Sequence, residues 1–188
     1  MKKYLQQATK QTKNVKAISI VSLLIALNIS ITKLSIPLTD TLKISFKFLT
    51  NALTGLIGGP FLALISGFIT DNLSIMVFPS KYPYFIGYTF NEMLGVFIYA
   101  LFFFKQKITI VRIILARISI SLFCNVLIGS YLSSIIATKS FAYYFAKSIV
   151  KNGLLLPVEI TLIVLVFKLL LPLLNKLNYT NQKNIPIW

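Results

Sequence analysis

Phe78-Pro79-Ser80-Lys81-Tyr82-Pro83-Tyr84-Phe85-Ile86-Gly87-Tyr88-Thr89-Phe90-Asn91-Glu92-Met93-Leu94-Gly95-Val96-Phe97-Ile98-Tyr99 is the stretch from which the rest of the chain can be read. A loop rich in aromatics and prolines leaves one apolar run and drops into another, which carries Thr89, Asn91 and Glu92 within its first two turns. In hydrocarbon an unpaired amide or carboxylate is costly, so these side chains are expected to face something other than lipid. The hairpin reads as one wall of a small-molecule pocket, with the remaining apolar runs enclosing it.

The flanking sequence says why hydrocarbon is the relevant solvent. Of 188 residues 56% are hydrophobic, and the mean hydropathy is +0.81. A soluble domain of this size cannot bury so much apolar surface, which places the chain among integral membrane proteins. Nineteen Lys and Arg against four Asp and Glu give a formal net charge of +15. The bases sit mostly at the ends of apolar runs, where the positive-inside rule and anionic lipid account for them, and no nucleic-acid partner is expected. The single cysteine, Cys124, lies within an apolar run and implies neither a disulfide nor a metal site. The absence of histidine disfavours zinc and histidine-based triads. With no phosphate-binding G-x-x-x-x-G-K-[ST] loop and no acidic cluster for two-metal chemistry, the reading is of a non-enzyme that carries no cofactor.

Taken in order, residues 1–16 form a basic cytoplasmic tail, 17–174 a membrane domain and 175–188 a second cytoplasmic tail. The membrane domain reads as all-α, with six spans near residues 17–34, 46–57, 61–77, 89–104, 108–136 and 141–174. The first run lacks a small-residue cleavage pattern and reads as a retained span. Residues 35–45 read as a short polar connection, Gly58-Gly59-Pro60 as a turn that no helix crosses undisturbed, and Pro157 as a kink. Six spans put both termini on one side. The basic residues favour that side as cytoplasmic, leaving Lys43, Lys81 and Lys139 outside with the aromatic loop. No inverted repeat is visible, so the chain is not expected to transport alone.

Asp71, Glu92, Arg117, Lys147, Lys151 and Glu159 all fall inside apolar spans. Such residues are candidate functional groups by default. Asp71 also fits an interhelical bond that fixes packing. Lys147 and Lys151 lie one turn apart and repel each other unless a dianionic ligand, or Glu92, supplies negative charge. Arg117, Ser121 and Asn125 form an i, i+4, i+8 stripe continued by Tyr131 or Leu132, and Glu159 is placed to pair with Arg117. Asn125 can meet a heterocycle edge as both donor and acceptor. Tyr82, Tyr84, Phe85 and Tyr88 can stack on an aromatic ligand or form an ordinary interfacial belt. Ser22, Ala26 and Ser30 recur every fourth residue, a spacing that admits close helix approach, whether by a partner or within the bundle.

An ordered set of short pieces now carries a resemblance. Ile36-Pro37-Leu38-Thr39, Leu42-Lys43-Ile44-Ser45-Phe46, Leu56-Ile57-Gly58-Gly59-Pro60 and Asp71-Asn72-Leu73 come first. Phe78-Pro79, Tyr84-Phe85 with Gly87-Tyr88-Thr89-Phe90-Asn91, Asn125 through Tyr131, and Lys151-Asn152 ahead of Leu156-Pro157 follow. In this order they resemble the substrate-binding S components of energy-coupling factor (ECF) vitamin transporters, and more narrowly the folate-specific one. The resemblance implies a six-helix bundle that captures a vitamin from outside and delivers it through a shared T subunit and two ATPases. It implies that Ser22, Ala26 and Ser30 are the docking face for that module. It also implies a folate site in which Tyr84, Phe85 and Tyr88 stack on the pterin. Asn91, Asn125 or Glu92 would read its edge, and Lys43 or Lys147 would meet the glutamate tail. Thr89, Tyr131 and Lys151 complete the expected set. Lys43 and Lys147 depart from the arginines expected of the family, and Glu92 from a small residue. Another vitamin or a folate precursor, or a ligand-free membrane scaffold, are the competing readings.

Overall fold

The computed structural model describes residues 2–32, 35–37, 43–78, 84–137 and 139–188. The helices are α1 (Lys2–Gln11), α2 (Val15–Ile31), α3 (Lys47–Val77), α4 (Ile86–Phe103), α5 (Ile110–Ile120), α6 (Gly129–Ile136) and α7 (Phe141–Lys176). A π-helical segment, Ser121–Ile128, joins α5 to α6 without a break. A small antiparallel hairpin, β1 (Ser35–Pro37) with β2 (Lys43–Ser45), pairs Ser35 with Ser45 and Pro37 with Lys43. Within the stretch expected to form a plain connection, residues 35–37 and 43–45 therefore pair as two short strands ahead of α3; Lys43 has its backbone in that ladder, and its side chain lies outside the described set.

Among the described residues four continuous helical stretches are long and apolar enough to cross a membrane: Lys47–Val77, Ile86–Phe103, Ile110–Ile136 and Phe141–Lys176. The first of these is two helices. Gly59 has φ 71° and ψ −179°, outside any helix, and Pro60 follows it. The direction of each half shows in what it touches on α4. Asn51 bonds Glu92 and Asp71 bonds Thr89, both near the start of α4. Gly59 instead lies against Phe104, just past its end. The chain therefore runs down one side of α4, reverses at Gly59 and climbs back, so α3 supplies two of the six apolar segments and α2 a third. Packing here is by backbone approach: a Cβ on Gly67 would stand 2.6 Å from Met93 Cα, and one on Gly55 2.7 Å from the Ala100 nitrogen. Small residues at such crossings compensate for the lack of a hydrophobic drive between helices in lipid.

Below mid-depth the bundle is filled by Tyr99 stacked on Phe103 at 5.7 Å and by Phe103 set edge-on to Phe167 at 5.2 Å. Both expected tails are structured at this same end. Helix α1 buries Ala8 and Gln11. The Gln11 amide donates to the Ile57 carbonyl beside the break in α3, at 2.8 Å. At the other terminus Gln182 exchanges two hydrogen bonds with the Ile108 backbone. The Ile110 and Val111 N–H groups, orphaned at the start of α5, donate to the carbonyls of Pro186 and Ile187. Helix α7 runs unbroken through Pro157 and Pro172.

Candidate functional site

A cavity of ≈ 520 Å³ opens at the end of the bundle opposite both termini. That is the size range of small-molecule sites. Ser45, Tyr88, Ser133, Tyr144 and Lys147 stand toward its mouth, and Tyr99, Arg117 and Glu159 toward its floor. The first turns of α3 and α4 form one wall; the π segment with α6, and α7, form the others. The π geometry matters because it adds a residue per turn: the Gly129 N–H bonds back to Cys124. Cys124 and Asn125 both line the cavity as a result. The regular stripe expected from i, i+4, i+8 spacing does not foresee that register change.

Three polar constellations surround the space. On the α3–α4 wall, Asn51 donates to Glu92 Oε1 at 2.8 Å and accepts from the Asn28 amide of α2 at 2.6 Å. Lys47 Nζ lies 3.8 Å from the same carboxylate oxygen. On the α7 wall, the Asn125 amide donates to Asn152 Oδ1 at 2.7 Å, and the Asn152 amide donates in turn to the Ser148 carbonyl at 2.8 Å. At the floor, Arg117 Nε donates to Glu159 Oε2 at 2.7 Å, and the guanidinium lies 5.3 Å from the centre of the Phe48 ring. The pair is 5% and 7% exposed. It is the packing pair anticipated for these two residues.

Several groups are left without a partner. Lys147 and Lys151 line the cavity, yet no carboxylate among the described residues lies within ion-pair distance of either. Glu92, one of the anions expected to offset them, is engaged by Lys47 and Asn51 instead. Asn91 Oδ1 and Ser130 Oγ are buried in the lining with no hydrogen-bond partner among the described residues. Such groups suit a ligand that brings donors to one region and negative charge to another. No cluster of His, Cys, Asp and Glu among the described residues could hold a metal ion.

Of the side chains singled out from sequence, Tyr88, Asn91, Glu92, Asn125, Lys147 and Lys151 line the cavity. Tyr84, Phe85, Thr89 and Tyr131 do not. Thr89 is 1% exposed and donates to Asp71 Oδ2 at 2.7 Å, so its hydroxyl ties α4 to the returning half of α3. Having given its one proton, it accepts from the Tyr84 hydroxyl. Phe85 sets its ring edge-on to Tyr88. Tyr131 is 59% exposed on the outer surface of α6, because the π register rotates it away. Tyr82 and Lys81 lie outside the described residues. Thr89→Val should therefore lower thermal stability in detergent by about 1–3 kcal/mol, the cost of a lost hydrogen bond to a carboxylate. Thr89→Ser should restore it; an unchanged melting temperature in Thr89→Val would refute the tie.

Lys47, Asn51, Tyr144 and Ser148 line the cavity without having been expected there. A signal existed. Lys47 and Asn51 are four apart within an apolar run, and Tyr144, Lys147, Ser148, Lys151 and Leu155 share a face at helical spacing.

No family model matches the chain. It is 30% identical over 172 residues to the folate transporter FolT of Clostridium novyi (strain NT), covering 90% of this chain and 99% of that protein. It is 26% identical over 147 residues to the folate transporter FolT of Leuconostoc mesenteroides subsp. mesenteroides, covering 75% and 78%. Among solved structures it is similar to the crystal structure of FolT bound with folic acid. That match has a TM-score of 0.72 and 25% identity, covering 92% of this chain and 99% of the other.

Proposed function

The chain belongs to the FolT family of folate transporters, and from that premise we propose that it is a substrate-capturing S component for folate, working with an ECF T subunit and two ATPases. Its cavity receives folate from the outer face of the cell membrane, with both termini cytoplasmic. ATP is used only by the partner subunits. The observation that carries the reading is the pair of cavity lysines, Lys147 and Lys151, which have no carboxylate within ion-pair distance among the described residues and stand beside a donor–acceptor-rich wall. Folate combines the two needs: a planar heterocycle edged with donors and acceptors, and a glutamate tail with two carboxylates.

In this reading Tyr88 offers an aromatic face at the mouth, Asn91, Glu92 and Asn125 face the heterocycle, and Lys147 and Lys151 meet the tail. Lys43 is proposed as a further base for the tail, while Tyr84 and Thr89, hydrogen-bonded to each other, and Phe85, edge-on to Tyr88, support the α4 end of the site. Ser22, Ala26 and Ser30 are all exposed on α2, on the side away from buried Val21 and Asn28, which supports their use as the face that docks on the T subunit.

Binding of radiolabelled folate to the purified protein, with unlabelled vitamins as competitors, tests the proposal. Folate should bind and compete best, and absence of binding overturns the assignment. Lys147→Ala should weaken folate at least tenfold, or about 1.4 kcal/mol. An unchanged Kd would remove Lys147 from the site.

A further inference from the structure

Glu92 is fixed on one side only. Its Oε1 takes the Asn51 amide at 2.8 Å, while no group among the described residues meets its Oε2, although the residue lines the cavity. The direction of the bonds behind it is forced. A carboxylate only accepts, so Asn51 must turn its NH₂ to Glu92 and its carbonyl oxygen to Asn28, and Asn28 must then donate, as it does at 2.6 Å. Asn28 is buried in α2, beyond the cavity wall, and Asn51 sits between. Next to Glu92 on the same wall, Asn91 Oδ1 is buried with no hydrogen-bond partner among the described residues. The wall therefore offers acceptors, one of them a carboxylate oxygen held from behind.

We infer that Glu92 is the specificity-determining residue of the cavity, selecting ligands whose heterocycle edge carries adjacent N–H donors, and that Asn51 and Asn28 are positioning residues that aim its free oxygen. This deepens the folate reading and rests on it, since the 2-amino group and neighbouring ring N–H of a 2-amino-4-oxopyrimidine form such an edge. A fixed acceptor rejects a ligand lacking the matching donor because the acceptor is then left buried and unpaired.

The test compares two ligands on the detergent-purified protein: folic acid and its 2-desamino-2-methyl analogue, which keeps the ring, the stacking surface and the tail. Wild type should bind folic acid at least about tenfold more tightly than the analogue, the size expected of a hydrogen bond to a charged acceptor. Glu92→Gln should bring the two affinities within about twofold, chiefly by weakening folic acid. Asn51→Ala and Asn28→Ala should each reduce the ratio in the same direction while leaving Glu92 in place. A purely structural role would weaken both ligands alike and leave the ratio intact; that outcome overturns the inference, as does a wild type that does not discriminate. Should Glu92→Gln fail to fold, the Asn51→Ala ratio decides in its place. A wild type that binds neither ligand overturns the folate reading itself and this assignment with it.

Discussion

Glu159→Gln is expected to cost about 3–5 kcal/mol of stability, because it leaves the Arg117 guanidinium buried without its counter-charge. Arg117 is 5% exposed, lies in the span Ile110–Ile136 and donates its Nε–H to Glu159 Oε2. The Tyr99 phenol and the Phe48 ring, the latter 5.3 Å away, also lie beside the guanidinium, but a neutral phenol and a cation–π contact replace only part of an ion pair. The charge cannot escape to a headgroup by snorkelling, since it faces the interior beneath the cavity. The two halves of the pair come from α5 and α7, so breaking it loosens the floor of the site as well as the bundle. Arg117→Met combined with Glu159→Leu should be much more stable than Glu159→Gln alone, because both desolvation penalties vanish together. Melting of the three proteins in detergent checks this. Equal stability of Glu159→Gln and wild type would mean that the pair does not hold α5 to α7.

Gly59→Ala should be of comparable severity, for a reason of backbone rather than charge. The φ of 71° with ψ −179° lies in a region essentially restricted to glycine, at a strain of about 1–3 kcal/mol for other residues. In addition, a Cβ there would stand 2.9 Å from the Phe104 ring. Phe104 is fully buried and already holds the Tyr4 ring of α1 edge-on, so it has little room to move. The reversal at Gly59 sets both halves of α3 against α4, which positions Asn51 beside Glu92 and Asp71 beside Thr89 at once. The expected result is a steep fall in folded protein recovered in detergent, with residual folded material melting well below wild type. Gly95→Ala is the control, because a Cβ at Gly95 meets nothing within 4 Å. Wild-type yield and melting for Gly59→Ala would show that the reversal can form without the left-handed backbone.

Much of the architecture was legible in the residues. Apolar runs of span length, punctuated by Gly58-Gly59-Pro60 and by basic clusters, identify the apolar segments and the turn between the second and third. Polar residues stranded in those runs identify where they must face inward: Arg117 with Glu159, Asp71 with a neighbour, Asn125 with the cavity. The tails were less legible. Residues 1–16 and 175–188 are too polar to read as part of the bundle, yet Gln11 and Gln182 fold them onto it through backbone carbonyls and N–H groups left open at a helix break and a helix start. Composition carries no record of such sites.

What the sequence by itself determined is the solvent of this protein and the inward direction of its polar residues, because the cost of a polar group in hydrocarbon is a property of the residue alone. Which inward residue meets which was decided by the tertiary structure. Glu92 went to Asn51 and Lys47 rather than to the lysines of α7, Thr89 went to Asp71, and the π segment turned Tyr131 outward. These choices rest on helix register and on the fold-back at Gly59, which bring together groups distant in sequence and are invisible to periodicity along one run.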